Sequence, residues 1–226
     1  MRARLPLHYE TITPLLKEVL DDMMSTSIFD PFYLVGGTSL SLRLGHRKSA
    51  DIDLFTKAPY GSLDFSDFEQ FFSANYRYYD CIDTSGIVGM GRSYYVGETE
   101  ENNIKVDLFY FEEFKDPCDL IDGIRIASLA DVTAMKVDVV ARGGRKKDFW
   151  DLHELFNMFN FSEMLEMHKQ RYEYTHDRDL IIANFSNFAS ADGDFDPVCL
   201  KGKEWELIKL DVVELLDNFL DTGSRF

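Results

Sequence analysis

Two glycines and two aspartates carry the most chemistry in this chain. Gly36-Gly37-Thr38 is followed, after the stretch from Ser39 to Ala50, by Asp51-Ile52-Asp53. Glycines at a strand-to-helix turn let the backbone approach an anion, and the helix start offers unpaired N–H groups and the positive end of a dipole, so a phosphate suits that turn. In Asp51-Ile52-Asp53-Leu54-Phe55 the side chains alternate, which puts both carboxylates on one face, roughly 7 Å apart along the strand, while Ile52 enters the core. Paired carboxylates at such a spacing can share a divalent cation. A third is available in Ile104-Lys105-Val106-Asp107-Leu108-Phe109, where Asp107 is an acid in an apolar strand. Three carboxylates beside a phosphate turn are what two-metal displacement at phosphorus requires.

Each motif also has a plain reading. Gly-Gly before a hydroxyl is often only a turn, an Asp pair on a strand can simply face water, and Asp107 can sit on the wet face of an edge strand. The spacing favours chemistry, because it brings turn and strand together and interposes Arg43, His46, Arg47 and Lys48, cations suited to a triphosphate.

A second pair of charges stands on apolar stripes. Ser128-Leu129-Ala130-Asp131 reads as a capping box opening a helix, and at 100° per residue Lys136 falls among Leu129, Val132 and Val140. In the next helix Asp148 lies within the arc of Phe149, Leu152, Leu155, Phe156 and Phe159. Lysine is seldom buried without a partner. An ion pair between Lys136 and Asp148 satisfies both a structural reading and one in which Lys136 reaches a phosphate while Asp148 orients it. Arg142, Arg145, Lys146 and Lys147 form a basic edge beside them.

The elements that must position these groups follow from periodicity and capping. Helices are expected over 10–27, 38–44 and 64–73, the second opened by Thr38, with strands over 32–35, 51–55, 76–83, 87–96 and 103–111, mostly antiparallel after the helix at 64 and joined through Ser85-Gly86 and the turn 97–102. Beyond Ser128 the pattern is helical: 128–142, 146–159, 162–174, 177–188 and 203–221. The fold class is α/β (α+β), a mixed sheet flanked by helices and then a helical half. The division falls near 126, giving a catalytic domain over 1–126 and a helical domain over 127–226 that contributes to the cleft.

Composition sets limits. The chain has 226 residues, 45% hydrophobic and 14% aromatic, enough for a substantial core. Cys81, Cys118 and Cys199 form neither a disulfide framework nor a zinc motif. No apolar run approaches membrane length and the N-terminus lacks a signal-type apolar region, so a cytoplasmic protein with no membrane partner is expected. A net charge of −16 argues against coating a nucleic-acid duplex, though not against gripping one end through the basic edge. There is no P-loop or His-Glu-x-x-His, and Asp192-Gly193-Asp194-Phe195-Asp196 fails as a calcium loop because Pro197 replaces the required glycine.

Taken together, Leu34-Val35-Gly36-Gly37-Thr38-Ser39-Leu40, Arg47-Lys48-Ser49-Ala50-Asp51-Ile52-Asp53-Leu54-Phe55, the lone Asp107, and Lys136 with Lys146-Lys147-Asp148-Phe149-Trp150-Asp151-Leu152 resemble the AbiEii-type nucleotidyltransferase toxins of the polymerase-β-like superfamily. The resemblance runs from about Phe32 to Phe159. It implies a nucleotidyltransferase fold and the toxin of a toxin–antitoxin or phage-defence system, moving a nucleoside monophosphate from a nucleoside triphosphate to an acceptor hydroxyl, with RNA such as a tRNA end as the acceptor and a basic antitoxin as partner. Mg²⁺, with Mn²⁺ as a substitute, is the expected cofactor, held by Asp51, Asp53 and Asp107. Gly36, Gly37, Thr38, Arg47, Lys48, Ser49, Lys136 and Asp148 are expected to bind the nucleotide, and Lys136 is counted with the three aspartates in catalysis. The acidic charge leaves open transfer to a polycationic small molecule such as an aminoglycoside, and loss of catalysis leaves open a nucleotide-binding or antitoxin-binding protein.

Overall fold

The computed structural model describes residues 6–82, 90–111 and 114–223. The expected Ser85-Gly86 connection lies outside the described residues. By contact the chain forms two units: residues 1–43 with 49–128, and residues 44–48 with 129–226. The short segment 44–48 thus packs with the second unit, although the sequence division groups it with the first.

The first unit is a seven-stranded sheet with helices. Its strands are β1 (Phe32–Leu34), β2 (Asp51–Thr56), β3 (Tyr78–Ile82), β4 (Gly91–Gly97), β5 (Asn103–Tyr110), β6 (Asp119–Ile121) and β7 (Ile124–Ile126), in the order β3-β4-β5-β2-β1-β7-β6. β2 runs parallel to β5, and β1 runs parallel to β7 but antiparallel to β2. Helices α1 (Pro14–Ser25), α2 (Gly36–Leu44) and α3 (Phe65–Asn75) complete it.

Alternation in β2 and β5 creates two unlike faces. Ile52 and Leu54 of β2 and Val106 and Leu108 of β5 are fully buried in a core shared with Leu16, Leu20 and Met23 of α1 and Phe68 and Phe72 of α3. Phe29 and Phe32 pack their rings on Phe68 at centroid distances of 5.2 and 5.6 Å. The opposite face carries Asp51, Asp53, Lys105 and Asp107, all half-buried. Burial of one face therefore fixes which residues the other presents.

Several elements differ from expectation. The first helix starts at Pro14, where Thr13 accepts the Leu16 N–H at 3.1 Å, and Tyr9–Thr11 forms a separate 3-10 turn, because proline fits the first helical position and not a helix interior. The hairpin of β6 and β7 was not foreseen. Its loop is Asp122-Gly123, both at positive φ (51° and 83°), the turn that Asp-Gly favours. Arg125 then fastens β7, donating to the carbonyls of Phe32, Met24 and Phe29 at 3.2, 3.1 and 3.0 Å. Arg43, expected among the phosphate-binding cations, serves the same region and donates to Asp119 at 3.0 Å and the Ala127 carbonyl at 2.8 Å.

The second unit contains α4 (Leu129–Ala141), α5 (Lys146–Leu155), α6 (Phe161–Arg171), α7 (Arg178–Phe185) and α8 (Trp205–Gly223). Trp150 stacks on Trp205 at 5.9 Å, and Phe161 meets Phe185 and Phe219 at 4.7 and 4.9 Å. Asp131 is buried and paired with Arg171 of α6, so it clamps two helices. The loop that imitates a calcium site has structural uses: Asp192 accepts the Trp205 indole N–H at 2.8 Å, Asp194 the Lys146 N–H at 3.0 Å, and Asp196 pairs with the Lys146 ammonium at 2.9 Å.

Since a Cβ on Gly123 would meet nothing within 4 Å, Gly123→Ala isolates the backbone strain of positive φ. It should lower stability by about 1–2 kcal/mol in urea unfolding. A neutral result would remove the turn conformation as the constraint on this hairpin.

Candidate active site

The glycine turn and the acidic strand are built against each other. Gly36 opens α2 at φ +67°, and a Cβ there would stand 2.1 Å from Asp53 Oδ2. Only glycine fits, since the conformation is left-handed and the space is filled by the carboxylate. The Val35 N–H donates to the Asp53 carbonyl at 2.9 Å. Thr38 does not open the helix, which begins two residues earlier; its hydroxyl is buried, bonded to Ser49 Oγ at 2.8 Å and to the Asp51 carbonyl. Both ends of the Asp51-Ile52-Asp53 motif are thereby tied to the turn.

Strand register adds the third carboxylate. In the parallel pair, Asp53 lies opposite Asp107 and Asp51 opposite Lys105, so all four project from one face. The face continues onto β4, where Ser93 is opposite Asp107 and Tyr95 opposite Lys105. Lys105 Nζ lies 2.6 Å from Asp107 Oδ2, while Asp107 Oδ1 is buried with no hydrogen-bond partner among the described residues. Burial by itself would lower the Lys105 ammonium, but Asp107, with Asp53 and Asp51 adding, holds it above the usual lysine value. Among the described residues no group of three or more His, Cys, Asp or Glu side chains is drawn together tightly enough to hold a metal ion. The donors are nevertheless of the hard-oxygen kind that Mg²⁺ takes, they share one face, and one has a buried oxygen to spare.

The second unit gathers the other charged residues around Asp151. This fully buried carboxylate accepts from His46 Nε2 at 2.8 Å and from Arg47 Nε and Nη2 at 2.7 and 2.8 Å, and pairs with Lys136 Nζ at 2.7 Å. Lys136, only 6% exposed, also donates to Asp148 at 2.7 Å, and Asp148 accepts the Arg145 N–H at 3.0 Å as it opens α5. The ion pair of Lys136 and Asp148 is present, but the centre of the cluster is Asp151, to which sequence reasoning gave no role. The available signal was its place at the edge of the apolar stripe, four residues before Leu155. Lys105 was likewise missed, though its alternation with Asp107 put it on the same strand face. Lys48 is exposed, its N–H bonded to the Val198 carbonyl at 2.9 Å, and Ser49 contacts Thr38 in the first unit.

The chain matches, over residues 18–222, the family described as nucleotidyl transferase AbiEii toxin of type IV toxin–antitoxin systems, and it belongs to that family. It is therefore a nucleotidyltransferase of toxin type. An uncharacterized protein from Aquifex aeolicus is 33% identical over 168 residues, covering 69% of this chain and 73% of that protein. Among solved structures, JHP933 from Helicobacter pylori is similar in fold, with a TM-score of 0.57 at 18% identity, covering 96% of this chain and 93% of its own. MenT4, a nucleotidyltransferase toxin from Mycobacterium tuberculosis, gives 0.57 at 17%, covering 89% and 83%.

Burial by itself would raise the Asp151 carboxyl, yet Lys136 and Arg47 hold it well below the usual carboxylate range; burial would lower Lys136, yet Asp151 and Asp148 hold it above the lysine range. Asp151 loses its contribution only as pH falls through its depressed value, and Lys136 only as pH rises through its raised one. The cluster's contribution should therefore be constant from about pH 5 to 9. Asp151→Asn should cost about 3–5 kcal/mol by leaving buried cations uncompensated. Trp150 and Trp205 both lie in this unit, so tryptophan fluorescence during urea unfolding reads both outcomes. A cost under about 1 kcal/mol would dismiss Asp151 as the organiser.

Gly36→Ala should displace Asp53 and lower nucleotidyl transfer by at least about a hundredfold, the loss typical of a disturbed catalytic geometry. Gly61→Ala is the control: Gly61 also has positive φ (78°), but a Cβ there meets nothing within 4 Å. Equal transfer rates for the two variants would show that the Gly36–Asp53 contact does not matter.

Proposed function

We propose that this chain transfers a nucleoside monophosphate from a nucleoside triphosphate to a hydroxyl at an RNA end, releasing pyrophosphate, with Mg²⁺ held by Asp51, Asp53 and Asp107. The observation that carries this reading is the register of Asp53 with Asp107 across β2 and β5, with the Gly36 turn closed against Asp53. Mg²⁺ at these oxygens would neutralise charge on the triphosphate and on the attacking oxygen.

The chain's own residues supply the rest. The turn at Gly36-Gly37 and the first N–H groups of α2 receive phosphate oxygens, with Thr38 acting through its backbone because its hydroxyl is engaged with β2. Ser49 holds Thr38, and exposed Lys48 adds positive charge. Asp107 Oδ1, buried and without a hydrogen-bond partner among the described residues, takes the proton from the acceptor hydroxyl as that oxygen bonds to the α-phosphorus and the bond to pyrophosphate breaks. The resemblance assigns Lys136 to the nucleotide, and among the described residues its ammonium is held by Asp148 and Asp151. Arg47 and Asp148 hold that ammonium and its partners in place.

The acidic surface favours a second acceptor class. A net charge of −16 suits a polycation better than a polyanion, so a small polycationic acceptor such as an aminoglycoside competes with RNA in this proposal. The same charge suits a basic antitoxin.

Incubation with each labelled triphosphate, total RNA and Mg²⁺ should label RNA with the wild-type protein and fail with Asp53→Asn. Label that appears only on a small molecule by mass spectrometry would replace RNA with that acceptor. No label above the Asp53→Asn background in either fraction would reject the transfer proposed here.

A further inference from the structure

We infer that Lys105 is an internal competitor for the divalent cation: its ammonium occupies the carboxylate face, compensates part of its negative charge and holds the Asp107 Oδ2 that a metal would otherwise share. This rests on the metal-dependent reading above. Lys105 stands opposite Asp51 on the neighbouring strand and two residues before Asp107, so alternation aims it at the same face as all three carboxylates. It does not point to solvent with an idle charge, because its Nζ is 2.6 Å from Asp107 Oδ2.

That placement explains two features at once. Asp107 uses one oxygen for Lys105 and keeps the other buried, with no hydrogen-bond partner among the described residues, an arrangement that half-satisfies a carboxylate. The three carboxylates also share a face without being gathered into an ion-binding group among the described residues. A lysine cation beside Asp107 compensates one negative charge, so a divalent ion arriving there meets repulsion from the ammonium and gains Oδ2 only by breaking its hydrogen bond. Lysine suits such a role better than arginine would, since a compact ammonium on a flexible stem makes one point contact and can swing away. A guanidinium would lock the carboxylate with two. Lys105 is about one-third exposed, so an outward path exists.

The competitor sets how much free cation the site requires. Lys105→Met keeps the stem and removes the charge, and Mn²⁺ should then bind about tenfold more tightly, as read by the electron paramagnetic resonance of free Mn²⁺ without nucleotide. Lys105→Arg keeps the charge and should bind no more tightly than wild type. Thermal melts followed by circular dichroism establish that the variants compared are folded. If Lys105→Met binds Mn²⁺ equally or more weakly than wild type, or if Lys105→Arg gains as much as Lys105→Met, the competitor role is wrong while the metal-dependent reading stands. If neither wild type nor Lys105→Met binds Mn²⁺ at millimolar concentration, both are wrong.

Discussion

The parallel pairing of β2 with β5 is the constraint on which the first unit's chemistry depends. Hydrogen bonding between these strands fixes Asp53 opposite Asp107 and Asp51 opposite Lys105, and a slip of one residue in either strand would turn that strand's charged side chains into the core. The slip is prevented from the other face, where Ile52, Leu54, Val106 and Leu108 are fully buried against α1 and α3. Hydrophobic burial on one side thus sets the geometry of charge on the other. The Gly36 turn is fitted to the outcome, with the missing Cβ making room for the Asp53 carboxylate.

The second unit solves a different electrostatic problem. Arg47 and Lys136 are buried cations, and each would be costly alone. Asp151, with Asp148 beside Lys136, balances them, and hydrogen bonds satisfy most of the donors involved. The segment from Leu44 to Lys48 is bound into this unit by Arg47 and His46 and by the backbone of Lys48 and Leu200. The twelve residues of sequence between glycine turn and acidic strand therefore hold an excursion whose His46 and Arg47 are committed to Asp151.

Charge is used in contrasting ways in the two units. In the first, carboxylates outnumber the one lysine on their face, and one carboxylate oxygen is left without a hydrogen bond among the described residues. In the second, the charges of the Asp151 cluster, Arg47 and Lys136 against Asp148 and Asp151, are matched and almost wholly buried. A partly wet acidic face suits chemistry, while a matched buried cluster suits fixing an arrangement.

Much of this was written locally. Alternation in Asp51-Ile52-Asp53 and around Asp107 decided which side chains share a face, and Gly36-Gly37 marked a turn in which Gly36 takes a conformation suited to glycine, because strand period and left-handed φ are properties of a few consecutive residues. The stripes of α4 and α5 showed Lys136 and Asp148 to be misplaced charges for the same reason. The sequence also held the Asp122-Gly123 hairpin, but three-residue strands leave too little pattern to read. Tertiary structure alone decided that β2 and β5 are neighbours, which places Lys105 among the carboxylates, and that Asp151 is the hub for His46, Arg47 and Lys136. Apart from Lys136 with Asp151, fifteen positions apart, those pairings join residues about fifty to a hundred positions apart, and periodicity reveals which face a residue occupies but never which distant residue will meet it there.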